Sequence, residues 1–88
     1  MSKNLFYFTA KWCGPCQTIK PIFYELESKY PDISFSAIDV DLNPTFGEKF
    51  GIKSLPTFIA LVDQKEFKRF SKANPDMLRA LVEDLNQI

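Results

Sequence analysis

Two thiols three residues apart, Cys13 and Cys16, are the only cysteines in an 88-residue chain, and what they can do depends on what flanks them. The apolar run Leu5-Phe6-Tyr7-Phe8 reads as a buried strand, and a helical pattern begins directly after Cys16. The pair therefore falls where a strand ends and a helix starts. A helix N-terminus stabilises a thiolate, and the three-residue spacing lets the sulfurs meet, so Cys-x-x-Cys at this place is a redox signature. Disulfide exchange needs an attacking thiolate, a reachable disulfide and a second thiol that resolves the mixed intermediate. Cys13, ahead of the helix, is the better attacker, with a side chain that can be exposed and face unpaired backbone N–H groups. Cys16, one helical turn further in and more buried, is the expected resolving thiol. Between them, Gly14 permits a tight approach of backbone, and Pro15 suits the first turn of a helix.

Other uses of two cysteines fit less well. A structural zinc site wants four Cys or His ligands, and this chain has two Cys and no His. The lack of His also removes Cys-His nucleophile pairs and imidazole acid–base chemistry. A purely structural disulfide over so short a loop would restrict the unfolded chain little. Lys plus Arg and Asp plus Glu balance at 11 each, which points to no nucleic acid and no anionic membrane surface as partner. No apolar stretch approaches the roughly 18 residues of a membrane span, and Met1-Ser2-Lys3-Asn4 opens no signal segment, so a cytoplasmic protein is expected. A hydrophobic share of 45% with nine Phe is ample for one core, and residues 1–88 are expected to form a single domain.

The elements that must position the thiols follow from periodicity and punctuation. A strand over 4–9 precedes a helix over 15–29, whose Ile19, Ile22, Phe23, Leu26 and Tyr30 recur at three- and four-residue spacing. Pro21 inside that helix predicts a kink. Pro31-Asp32 breaks the chain, and the alternation from Ile33 to Val40 predicts a second strand, parallel to the first because a helix intervenes. Asn43 as cap and Pro44 as first residue open a short helix that Gly51 closes, with Phe46 and Phe50 facing the core. A third strand runs from Thr57 to Val62, and a turn at 63–65 returns the chain antiparallel into a weaker strand over 66–70. Asn74-Pro75 starts a last helix, with Met77, Leu78, Leu81, Val82, Leu85 and Ile88 as one apolar stripe. Helices are expected on both faces of a four-stranded mixed sheet.

The motif Trp12-Cys13-Gly14-Pro15-Cys16 resembles the active site of the thioredoxin family, in which the dipeptide between the cysteines varies and Gly-Pro is the thioredoxin choice. The proline of Leu55-Pro56-Thr57, the run Asp39-Val40-Asp41-Leu42-Asn43-Pro44 and the offset of Pro21 carry the likeness across essentially the whole chain. It implies a minimal α/β thioredoxin fold in the order β-α-β-α-β-β-α, without the strand and helix that commonly come first. The strand over 33–40 then becomes a sheet edge, which makes pairing of two copies conceivable although a monomer is expected. The resemblance also implies a cis bond before Pro56, a proline packed on the active-site disulfide, and Leu55 offering backbone to an extended substrate. Trp12 beside the thiols is expected to form a flat wall for substrate.

Three departures stand out against that family. Many thioredoxins carry a buried Asp six residues before the first cysteine, with a partnering Lys on the next strand; here those positions are Tyr7 and Ala37. Losing both avoids an unpaired buried charge, and leaves water or the Tyr7 hydroxyl to take the Cys16 proton. The family's glycine after the last strand falls in Ser71-Lys72-Ala73, where side chains narrow partner choice. Lys11 and Lys53 are expected to flank the site and favour the Cys13 thiolate.

The resemblance implies a protein-disulfide reductase that cycles the Cys13–Cys16 dithiol, uses no other cofactor, and is re-reduced by thioredoxin reductase or a dedicated reductase. The alternatives are a glutathione-dependent, glutaredoxin-like reductase and a docking subunit that uses the same surface. Against the first, glutaredoxins usually have Pro-Tyr between the cysteines and a downstream Gly-Gly, and neither occurs here.

Overall fold

The computed structural model describes residues 1–88. Strand β1 spans Lys3–Thr9, helix α1 Gly14–Lys29, strand β2 Ser34–Asp39, helix α2 Pro44–Lys49, strands β3 and β4 Thr57–Val62 and Lys65–Phe70, and helix α3 Pro75–Asn86. They follow the β-α-β-α-β-β-α order that the sequence predicts. The sheet order is β2-β1-β3-β4. β1 and β2 are parallel, whereas β1 with β3 and β3 with β4 are antiparallel. β2 is an outer strand, as anticipated.

Central strands are buried on both faces, and their sequences show it. Leu5 and Tyr7 of β1 point to one side with Phe58 and Ala60 of β3; Phe8 points to the other with Ile59 and Leu61. β4 is exposed along most of its length, so it carries polar residues and reads weakly as a strand. The first face is covered by α1, through Ile19, Phe23 and Leu26, and by α3, through Leu78, Leu81, Val82 and Leu85. Tyr7 is clamped there between aromatic rings, stacked on Phe58 at 5.0 Å and tilted against Phe23 at 4.8 Å. The opposite face is covered by α2 and the segment that follows it; Phe46 of α2 and Phe50 just beyond it meet Phe6 at 5.5 and 5.6 Å. No helix is long and apolar enough to cross a membrane.

Local signals explain the boundaries, with three corrections. Asn74 caps α3 as expected, its side chain accepting from Met77 N at 3.0 Å. Asn43 stands before α2 but makes no side-chain cap; its amide instead donates to the Asp39 carbonyl at 3.1 Å. Met77 and Ile88 leave the predicted apolar stripe, being 40% and 43% exposed. Met77 flanks the stripe centred on Leu78, Leu81, Val82 and Leu85, and Ile88 lies beyond the last helical residue. The β-strand over 33–40 also shortens to Ser34–Asp39, although Val40 N still donates to Thr9 O at 3.0 Å.

The β3–β4 turn holds Asp63 and Gln64 at φ 51° and 69°. That left-handed pair matches the twist of a two-residue hairpin but normally takes Gly at the second place. Asp63 has a compensating role: its N–H donates to Ser2 O at 2.8 Å and its Oδ1 accepts from Ser2 N at 2.8 Å. Gln64 has no such contact. Gln64→Gly is therefore expected to stabilise the fold by about 0.5 kcal/mol, the left-handed penalty less the chain entropy of glycine, seen as a higher urea midpoint at unchanged slope.

Candidate active site

Cys13 ends the loop after β1 and is itself the N-cap of α1, with extended backbone at φ −85° and ψ 103°. Its Sγ accepts the Cys16 N–H at 3.2 Å. A sulfur thus occupies the place where Ser or Asp usually satisfies a helix's free donors, and the same N–H groups stabilise negative charge on it. Its own N–H donates to Ala10 O at 3.2 Å, and the Gln17 amide reaches that same carbonyl at 3.1 Å. These bonds fix the loop between strand and helix.

The two sulfurs are joined as a disulfide across 5.3 Å between Cα atoms. Cys16 is fully buried, and Cys13 is 5% exposed. The predicted contrast between an exposed and a buried thiol is therefore slight in the oxidised protein, because both residues belong to the main hydrophobic cluster. Gly14 lies between the two cysteines. A Cβ there would meet nothing within 4 Å, so the glycine relieves no crowding inside the chain and leaves open space beside the disulfide. Pro15 lies in the first helical turn, as predicted.

Trp12 is 71% exposed, and its Nε1 donates to Asp41 Oδ2 at 2.7 Å. Asp41 comes from the turn after β2, where Asp39 Oδ1 accepts the N–H groups of Asp41 at 2.9 Å and Leu42 at 3.4 Å. Both acids fall in the run that carries the family likeness, but the sequence assigned neither a role; Asp followed by two turn residues was the available signal. Trp12 lines one wall of a groove of about 390 Å³, with Leu55, Ile52, Lys53 and Glu48 on the others.

The Leu55–Pro56 bond is cis, and Pro56 is buried. Leu55 is half-buried and packs on the cluster that contains both cysteines. It lies outside every helix and strand, and neither its N–H nor its C=O makes a backbone hydrogen bond. The loop after β4 is tied to this segment: Ser71 Oγ lies 2.7 Å from Thr57 Oγ1, which donates to Ser54 O at 2.7 Å. Lys53 borders the Trp12 groove, while Lys11 lines a separate cavity on the Tyr7 side.

The Tyr7 hydroxyl does reach Cys16, but it donates to the backbone carbonyl rather than meeting the sulfur. Burial raises the phenol above its ordinary pKa of 10.0, with the Tyr24 hydroxyl adding to the rise and Thr9 opposing it. A phenol so held is a donor, and it is a poor candidate for taking a proton. Ala37 sits opposite Tyr7 in the parallel register.

A family model described as Thioredoxin matches residues 1–84. Thioredoxin H5 of Oryza sativa is 38% identical over 80 residues, covering 91% of this chain and 59% of its own length. Human thioredoxin is 37% identical over 78 residues, with 89% and 74% covered. Among solved structures, Fasciola hepatica thioredoxin superposes with a TM-score of 0.93 at 36% identity, covering 96% of this chain and 81% of that one. The oxidised form of mitochondrial thioredoxin 3 from Saccharomyces cerevisiae gives 0.91 at 33% identity, with 96% and 79% covered. The chain thus spans about three-fifths of the length of the first plant relatives it matches.

The Tyr7 environment has a consequence for alkaline stability. The folded phenol titrates above the unfolded one, so the unfolded chain loses its proton first; stability holds below about pH 10 and falls above it. Tyr7→Phe is expected to cost about 1 kcal/mol at neutral pH through the lost hydrogen bond and to flatten that alkaline fall. Melting temperatures between pH 8 and 11 test both, with Tyr30, whose phenol is raised chiefly by its bond to Glu83, contributing to the slope that remains.

Proposed function

The chain belongs to the thioredoxin family, and from that premise we propose that it is a thiol-disulfide oxidoreductase that reduces protein disulfides through Cys13 and Cys16. One observation carries the reading: the Cys13 sulfur caps α1, accepts the Cys16 N–H, and is disulfide-bonded to the one other cysteine. In the reduced protein the Cys13 thiolate attacks one sulfur of a substrate disulfide. That bond breaks, a mixed disulfide forms, and the first substrate thiolate leaves and takes a proton. Cys16 then attacks Cys13 Sγ, closing the internal disulfide and releasing the second substrate sulfur. Two electrons pass from the protein dithiol to the substrate.

Substrate recognition falls to the surface around the sulfurs. An extended segment pairs with the unused N–H and C=O of Leu55, as an added strand would. Trp12, held by Asp41, gives it a flat apolar wall, and Gly14 leaves room for its backbone beside Cys13. Ser71, tied to Thr57, borders the same segment and restricts which partners dock. The dithiol needs no further cofactor in this scheme, the protein acts as a monomer in the cytoplasm, and a flavoprotein reductase returns it to the dithiol.

The test follows NADPH consumption while purified protein reduces a disulfide-linked test protein. Thioredoxin reductase alone is expected to sustain turnover; turnover only with glutathione and glutathione reductase would make the protein glutaredoxin-like. Cys13→Ser is expected to lose at least a hundredfold in rate. Cys16→Ser should accumulate the mixed disulfide, visible as a mass adduct through Cys13. Binding of a test protein that survives loss of both cysteines, without turnover by any reductant, would replace the reductase with a docking role.

A further inference from the structure

The resolving step proposed above poses a proton problem, and this inference rests on that reading. Cys16 must attack as the thiolate, yet the residue is 0% exposed and the chain has no histidine to accept its proton. Beside Tyr7, whose hydroxyl is bonded to the Cys16 carbonyl, lies a cavity of about 200 Å³. The charged and titratable groups that line it are Tyr7 of β1, Lys11 of the following loop, Lys20 and Tyr24 of α1, and Asp39 of β2. Asp39 is the one carboxylate among them.

Three further observations single out this acid. Asp39 Oδ1 holds the turn through Asp41 N and Leu42 N, whereas Oδ2 makes no hydrogen bond within the chain. Asp39 is the register partner of Thr9 across the parallel strands, so both side chains leave the same face of the sheet. The Thr9 hydroxyl oxygen lines the same cavity and is buried with no hydrogen bond to another group of the chain. Unspent polar groups around a space of this size hold water, since a single water needs only about 15 Å³ and two or more polar neighbours.

We propose that Asp39 accepts the Cys16 proton, through water in this cavity, when the mixed disulfide is resolved. The Cys16 S–H bond gives its proton to the carboxylate by way of water. The thiolate attacks Cys13 Sγ, the Cys13–Cys16 bond forms, and the bond from Cys13 to the substrate sulfur breaks. The departing thiolate takes a proton, returned from Asp39 or from solvent. Ala37 keeps the route open, because a small side chain stands opposite Tyr7 on the cavity wall.

Asp39→Asn tests this, because Oδ1 remains to hold the turn. Protein pre-reduced with a chemical dithiol is mixed with the disulfide test protein, and the resolving step is timed by rapid quench from pH 5 to 9. Asp39→Asn is expected to slow resolution about tenfold or more near neutrality, with a rate that rises in proportion to hydroxide, and Asp39→Glu to recover part of the loss. The attack step, isolated in the Cys16→Ser background, should not change. A wild-type rate and pH profile in Asp39→Asn overturns the proposal, as does equal slowing of attack and resolution, which marks a disturbed turn. Should the Asp39 variants fail to fold, Thr9→Val is expected to slow resolution by a smaller factor, and a normal rate there overturns the proposal instead. Wild-type protein that reduces no disulfide even with chemical dithiol would sink the reductase reading itself, a failure distinct from either.

Discussion

Burial of β1 on both faces is the constraint on which the rest of the structure depends. A strand packed by Leu5 and Tyr7 on one side and by Phe8 on the other cannot slip by one residue without exchanging its two apolar sets. It is locked further by a parallel neighbour and an antiparallel one. Its end at Thr9 is therefore a fixed point, and three residues of loop carry the chain from there to Cys13. Where the disulfide sits is decided by the core of the sheet.

The sulfur of Cys13 then does two jobs with one contact. As the cap of α1 it satisfies a helix donor that would otherwise be unpaired, and as a thiolate it draws on the same donor for stabilisation. Structure and reactivity are coupled in that bond. The oxidised pair is correspondingly well packed, with both cysteines inside the main cluster. In the proposed scheme reactivity comes from what a substrate can reach at the edge of this buried pair, which puts weight on Trp12, Leu55 and the space beside Gly14 rather than on exposure of the sulfur itself.

What could be read from the sequence was set by periodicity, punctuation and motif. Continuous apolar runs placed β1 and β3, alternation placed β2, three- and four-residue spacing placed α1 and α3, and Asn-Pro pairs marked two helix starts. Apolar stripes were over-extended at their ends, where Met77 and Ile88 fit the pattern in sequence but not the buried arc in space. Hydrogen bonds between side chains and loops were harder to foresee. Asn43 was expected to cap α2 and serves the Asp39 carbonyl instead; Asp41 fixes Trp12 from a turn 29 residues away. Such contacts depend on where two loops meet, and one-dimensional patterns carry little of that information. The thiols themselves were legible because their chemistry depends on local spacing and a helix start.

The replacement of a buried charge beneath the disulfide changes how the site meets water. With Tyr7 and Ala37 at the two positions, an aromatic ring clamped between Phe23 and Phe58 meets Cys16 through its hydroxyl, and an exposed methyl group stands opposite that ring on β2. No ionised side chain has to be desolvated there, so the core gains packing and escapes the cost of a buried pair. The one carboxylate on that cavity wall is Asp39, two residues along β2 from Ala37 and opposite Thr9. In the proposed scheme an acid in that position reaches Cys16 through water instead of by direct contact. In the proposed scheme the Cys16 proton travels through water to Asp39, a path that requires no buried charge, with the hydroxyls of Tyr7 and Thr9 as polar groups near it.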